Sequence, residues 1–245
     1  GGGKGQKWTG AGQDAEHWRA SHFRVEGPAV AQIQATFLDN WLKVSGQVLH
    51  GEAYFPALKV AGQSDAQMLS SSPSNGSENM ELMYQMALTA ADSSIDLSMA
   101  YFVPDELSTK VLIDAMRRGV RLRIITPGKI TDTETVRSAS RSTWGPLLAA
   151  GAQIYEYQPT MFHCKVLIID NYMVSVGSTN FDNRSFSLND EANLNIYDAQ
   201  FAARQTQVFE DDLKRSRRVS LQEWQARPLK EKIMEQIGSV FSSQI

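Results

Sequence analysis

The chain has one cysteine, Cys164, in 245 residues. With no second thiol there is no disulfide framework and no CxxC pair, so Cys164 reads as a small buried neighbour within a strand. Long apolar runs are also missing. None approaches the roughly 18 residues needed to cross a bilayer, and no signal peptide is visible. Charge of one sign is scarce, the formal balance being −3, so no global basic field argues for nucleic acid. Aromatic residues are not interleaved with basic ones as a stacking channel requires. No His/Cys/Asp cluster has metal-ligand spacing. The opening run Gly1-Gly2-Gly3-Lys4-Gly5 has no initiator methionine and does not match the GxxxxGK[ST] phosphate loop, so a frayed or cut end is expected there.

What is present can bury a sizeable core: 42% of residues are hydrophobic, and the length fits one large or two small domains. From residue 78 onward, helical and strand patterns alternate. Helices are expected over 78–92, 106–118 and 133–150, the last two ending at Gly119 and Gly151, with strands over 95–101, 120–126 and 153–157. This order predicts an α/β fold, a mixed sheet with helices on both faces.

An internal repeat is also legible. Around 25–41 a short strand is followed by Gly27-Pro28 as a helix start, then Val30, Ile33, Phe37 and Trp41 at helical spacing. Over 194–213 the order recurs: a strand, Asp198 as N-cap, then a helix with Phe201, Phe209 and Leu213 inward. Phe37-x-Asp39 echoes Phe209-x-Asp211. Between the copies, 62–77 is rich in Ser, Gly and Pro and reads as a linker. The expected organisation is therefore the C-terminal part of a first lobe over 1–61, a linker over 62–77, and a second lobe over 78–245. Near the end, Ser220-Leu221-Gln222-Glu223 has the capping-box pattern of a short helix.

The chemistry concentrates in His163-Cys164-Lys165, Asp170, Gly177-Ser178-Thr179-Asn180 and Glu191. The apolar runs 164–169 and 172–176 flank the turn pair Asp170-Asn171, which predicts a hairpin. Strand alternation then sends His163 and Lys165 to one face, where imidazole and ammonium can converge on a small anion. Gly177 allows close backbone approach, and Ser178, Thr179 and Asn180 offer two hydroxyls and a carboxamide to phosphate oxygens. The set reads as a phosphate cradle holding a nucleophile or an acid.

The spacing HxKxxxxD followed by Gly-Ser-x-Asn resembles the signature of the phospholipase D superfamily. Tyr101-Phe102-Val103-Pro104-Asp105, Arg118-Gly119-Val120, Tyr155-Glu156-Tyr157, the run 177–193 and Trp224-Gln225-Ala226-Arg227-Pro228-Leu229 are similar to bacterial cardiolipin synthases within it. That superfamily builds one active site from two such segments, and one is seen here. The resemblance implies transfer of a phosphatidyl group between phosphatidylglycerol molecules through a phosphohistidine, with no metal and no cofactor. It makes His163 the acid/base and puts the nucleophilic His on a first HxK segment upstream in cis. Lys165, Ser178 and Asn180 would hold phosphate oxygens, and Glu191 would orient one of the two imidazoles. Asp170 belongs to the catalytic motif, though support of the hairpin turn and of Lys165 is its expected part. The implied partner is anionic phospholipid at a membrane surface, with no nucleic acid, and the implied location is the bacterial cell membrane, peripheral or anchored by an N-terminal segment. On this reading the chain alone is inactive.

One departure stands out. In the repeat register, Trp18-Arg19-Ala20 occupies the place of Asn189-Asp190-Glu191, and Ala20 cannot brace an imidazole. His22, nearby, is read as structural. Eight basic residues over 110–141 form either a solvated helix face or an electropositive rim that steers anionic headgroups. Two other functions stay open: a phosphodiesterase or nuclease that completes its site by homodimerisation, and a non-catalytic module that binds anionic lipid.

Overall fold

The computed structural model describes residues 5–10, 12, 14–73, 76, 78–228 and 231–232. The helices are α1 (Ala29–Ser45), α2 (Asn79–Ala90), α3 (Glu106–Arg117), α4 (Glu134–Ala149), α5 (Ala199–Leu213) and α6 (Leu221–Gln225). The strands are β1 (Asp65–Ser71), β2 (Ser94–Met99), β3 (Phe102–Val103), β4 (Arg121–Pro127), β5 (Gln153–Tyr157), β6 (Lys165–Ile169), β7 (Met173–Gly177), β8 (Phe181–Asp182), β9 (Glu191–Tyr197) and β10 (Ser216–Val219). Eight strands form one mixed sheet in the order β1-β9-β7-β6-β2-β4-β5-β10, and β3 and β8 pair separately. β2, β4 and β5 run parallel, whereas the other ladders of the large sheet are antiparallel.

Strand alternation splits the core in two. On β6, Leu167 and Ile169 enter a cluster with Met80, Tyr84, Leu88, Leu112 and Trp144, whereas Val166 and Ile168 enter one with Ala202 and Phe209. Helices α2, α3 and α4 thus cover one face, and α5 covers the other. At about 25 cal/mol per Å² of apolar area, this two-sided burial is the main stabilising contribution. The β6–β7 hairpin turns through 170–172, since Ile169 pairs with Met173, and Asp170 and Asn171 are both left-handed with φ of 53° and 50°, a region that Asp and Asn tolerate.

Several expectations need correcting. The stretch 62–77 is not simply a linker, because 65–71 is edge strand β1, paired antiparallel with β9 from Asp65↔Tyr197 to Ser71↔Glu191. Its polarity suits an edge strand with an outward face, which a compositional reading scores as loop. Residues 74, 75 and 77 of that stretch, together with 1–4 and Leu229, lie outside the described residues. No strand forms around Val25. Instead, Arg19 bridges Phe162 in parallel, and Arg19 Nε and Nη2 donate to the two Asp212 carboxylate oxygens at 2.8 Å each, fastening this segment to α5. Helix α1 forms as expected, but its apolar stripe is open: Phe37 is 54% and Trp41 38% exposed. At the other end, Ser220 Oγ accepts from the Glu223 N–H and caps α6. Strand β10, the β3–β8 pair and a π-turn at Arg184–Leu188 had no periodic signal to announce them.

Candidate active site

The sheet register brings the functional residues to one edge. Lys165 opens β6 opposite Met99 at the C-terminal end of β2, Gly177 closes β7 opposite Asn193, and Glu191 opens β9 opposite Ser71. The site therefore lies beyond the carboxyl ends of the parallel strands β2 and β4, where open α/β sheets place ligands.

His163 is held through its backbone, its N–H donating to the Arg19 carbonyl at 2.7 Å. Its ring packs against Trp8, at 4.9 Å between centroids and nearly perpendicular, and against Trp18 at 5.5 Å. Lys165 Nζ lies 3.5 Å from His163 Nδ1 and 3.4 Å from Nε2, and 5.9 Å from the Tyr101 ring centre. Burial, and then the neighbouring ammonium, push the His163 pKa down to about 4. Burial also lowers Lys165 to about 8. At neutral pH the pair is thus a neutral imidazole beside an ammonium.

The second wall comes from β7 and β9. A Cβ on Gly177 would run into Asn193 and the Ala192 carbonyl, so this close approach requires glycine. Ser178 Oγ donates to Glu191 Oε2 and accepts from the Ala192 N–H at 3.0 Å, and Asn189 Nδ2 donates to Glu191 Oε1 at 3.2 Å. Thr179 donates through both N–H and Oγ1 to Asn193 Oδ1. Asn180 Oδ1 accepts from the Tyr101 N–H at 3.3 Å, and the Tyr101 hydroxyl donates to Asp132 at 2.6 Å. Behind them Asp182 accepts from the Ser185 N–H at 2.7 Å, and burial raises its carboxyl to about 6.

His163 and Lys165 thus meet, as do Ser178 and Glu191, with Asn180 fixed on the Tyr101 backbone. Asp170 does not join them. It sits just past the far end of β6, roughly 16 Å along the strand from Lys165 at ~3.3 Å per residue, and its carboxylate accepts from the Asp92, Ser93 and Ser94 N–H groups and from Ser93 Oγ. Its carboxylate fastens the turn to the residues that open β2, which is the turn-supporting part expected of it, and makes no bond to Lys165, so the expected support of that ammonium is not seen. Among the described residues the side-chain partners of Glu191 are Ser178 and Asn189, and His163, one of the two imidazoles it was expected to orient, is not among them. Trp8, Trp18 and Asp132 were not singled out for the site in the sequence, because each reaches it through a long-range contact, whereas Asp182 and Asn193 lay within the run 177–193 without an assigned part. No group of three or more His, Cys, Asp or Glu among the described residues could hold a metal ion.

A family model described as cardiolipin synthase, phospholipase D-like domain matches residues 84–213, just over half of the chain. The chain belongs to this family. Cardiolipin synthase 2 of Bacillus anthracis is 34% identical over 233 residues, which takes in 94% of this chain and 45% of that protein. The chain spans just under half the length of the curated relatives it matches, as with cardiolipin synthase 1 of the same organism at 32% identity and 48% of its length. Among solved structures, the phospholipase D family member Nuc from Salmonella typhimurium superposes with a TM-score of 0.55 at 22% identity, covering 64% of this chain and 99% of that one. The phosphatidylserine synthase of Haemophilus influenzae Rd KW20 gives 0.57 at 13% identity, covering 76% and 47%. At these identities the two structures establish a shared phospholipase D-like fold.

Proposed function

We propose that this chain contributes the acid/base half of a cardiolipin synthase-type phosphatidyltransferase, which moves a phosphatidyl group between phosphatidylglycerol molecules at the bacterial membrane surface. The observation that carries the reading is the His163–Lys165 pair, 3.4–3.5 Å apart at the sheet edge beside Ser178. A diester under attack builds charge on its non-bridging oxygens and needs a proton on its leaving oxygen. Lys165 and the Ser178 and Asn180 side chains bind those oxygens, and His163 moves the proton.

The nucleophile in this scheme is a second imidazole, supplied in cis by an upstream HxK segment. The internal repeat and the greater length of the curated relatives support that division, with 1–61 and 78–245 as parts of two lobes. Attack forms a phosphohistidine as the P–O bond to glycerol breaks, and His163 gives its proton to the departing oxygen. The neutral imidazole then takes a proton from the incoming glycerol hydroxyl, which attacks phosphorus and releases the nucleophilic His. With a pKa of about 4, free His163 is ready as a base. A bound anionic diester beside Lys165 raises its proton affinity for the acid step. Among the described residues no helix is long and apolar enough to cross a membrane.

The test is a mixed-micelle assay of the full-length parent with labelled phosphatidylglycerol. Cardiolipin and free glycerol are expected, and absence of both overturns the reading. His163→Ala should abolish turnover, by at least about 10³-fold. The 245-residue chain should be inactive alone, so robust turnover by it refutes the two-imidazole division.

A further inference from the structure

The stretch 7–18 is a loop whose ends are tied together, the Lys7 carbonyl accepting from the Trp18 N–H at 2.7 Å. Compact loops closed in this way are frequently functional. Its inner side is fixed to the body of the fold: the Gly12 carbonyl accepts from the Tyr157 hydroxyl at 3.2 Å and from Arg215 Nη1 at 3.4 Å, and the Ala15 carbonyl accepts from Thr160 Oγ1 at 3.4 Å. Asp14 Oδ1 accepts from the Glu16 and His17 N–H groups at 3.0 Å each, which stiffens the return to Trp18. Most of the loop is exposed, but Trp8 and Trp18 are half-buried. Neither indole joins the two hydrophobic clusters that hold the sheet. Their aromatic partners are each other, 5.0 Å apart between centroids, and the His163 ring. The loop is a fixed cover, and what it covers is the imidazole.

What such a cover does follows from the chemistry of the intermediate. A phosphohistidine is open to any oxygen nucleophile that His163 can deprotonate, and water is far more abundant than lipid hydroxyl. In transfer, the glycerol oxygen bonds to phosphorus, the P–N bond breaks with its electron pair returning to the nucleophilic imidazole, and His163 takes the hydroxyl proton. In hydrolysis water takes the same part, and the product is phosphatidic acid in place of cardiolipin. An acceptor hydroxyl carried on a bound lipid keeps its place beside His163. Free water needs open space beside the ring, and the indoles fill it on two sides. Enclosure of this kind suppresses hydrolysis of reactive intermediates. We propose that Trp8 and Trp18 decide the acceptor, holding water off His163 so that the intermediate passes to an alcohol. Burial as the first cause of the lowered His163 pKa agrees with a ring kept dry. The proposal rests on the phosphatidyltransferase reading and adds to it the residues that separate transfer from hydrolysis.

The test is the ratio of phosphatidic acid to cardiolipin that the full-length parent forms from acyl-labelled phosphatidylglycerol in mixed micelles. Trp8→Ala and Trp18→Ala should each raise that ratio about tenfold, the low end of what one pocket contact contributes to discrimination. Trp8→Phe, which keeps an aromatic wall, should bring it most of the way back to the parent's value. The ratio is read from active molecules alone, so partial unfolding of a sample does not move it. Trp8→Leu opens the same side of the ring while keeping an apolar anchor, and it should raise the ratio even where Trp8→Ala does not fold. A ratio unmoved in these variants, or the two products falling together, would show that the indoles only pack the loop, and would overturn the inference while the phosphatidyltransferase reading stands. A parent that forms neither product refutes that reading, and the inference with it.

Discussion

Helices α1 and α5 carry the same short signature, yet Phe209 on α5 is 2% exposed and Phe37 on α1 is 54% exposed. The difference lies in what each helix faces. Helix α5 lies across the sheet, so Phe209 meets Val166, Ile168 and Val174 and stacks under the Arg123 guanidinium at 4.9 Å. Helix α1 lies along edge strand β1, and Phe37 stacks on Trp41 of its own helix at 6.1 Å. Apolar spacing specifies which side of a helix is adhesive, while the partner surface decides whether that side stabilises anything. The sharpest way to break the comparison is a pair of truncations. Phe209→Ala should lose about 3–5 kcal/mol in urea unfolding, and Phe37→Ala about 0.5 or less. Equal losses would mean that α1 is as well covered as α5.

The two regions are joined at Arg19 and Asp212, both largely buried and bonded through two oxygens at 2.8 Å. Asp212→Ala leaves the guanidinium without its counter-charge, and a loss of about 3 kcal/mol is expected. The same variant should release the 5–28 segment, read as faster proteolysis there than in β6 or β7. A loss without release would show that Trp8 and Trp18 hold this segment on their own.

What was legible in the sequence follows from the range of the interactions. The β6–β7 hairpin, the His163–Lys165 face and the Asp198 cap are set by neighbours within a few residues, and they formed as expected. Pairings set by the whole sheet were not visible: Ser71 with Glu191 across β1 and β9, Ser178 with Glu191 across β7 and β9, and Asp170 with the 92–94 loop. The serines of β1 misled because an edge strand tolerates polarity that a central strand does not. Open Phe37 misled in the opposite sense, since period alone cannot say what covers a face.

The covering of His163 by Trp8 and Trp18 makes a titration prediction. Its folded pKa of about 4 lies below the ordinary 6.5, so between those values the unfolded chain binds more protons and stability rises with pH. As pH falls from about 6.5 through 4, roughly 2–3 kcal/mol should be lost to this group, and His163→Gln should lack that part of the pH dependence. Trp18→Ala, by admitting water, should move the NMR-titrated pKa of His163 up toward 6.5. An unmoved value would assign the shift to Lys165 and not to burial by the 5–28 segment.

The smallest expected effect tests how α1 is held at all. An edge strand presents N–H groups to solvent unless something covers them, and the Met68 N–H of β1 donates to Gln32 Oε1 on α1 at 2.8 Å. Because both groups are near water, Gln32→Ala should lower stability by only about 0.5 kcal/mol. Its local signature is larger than its energy: exchange of the Met68 amide should accelerate about two- to tenfold, while amides of α5 stay unchanged. A Met68 amide that exchanges equally fast with and without Gln32 would mean that α1 leaves the β1 edge in solution.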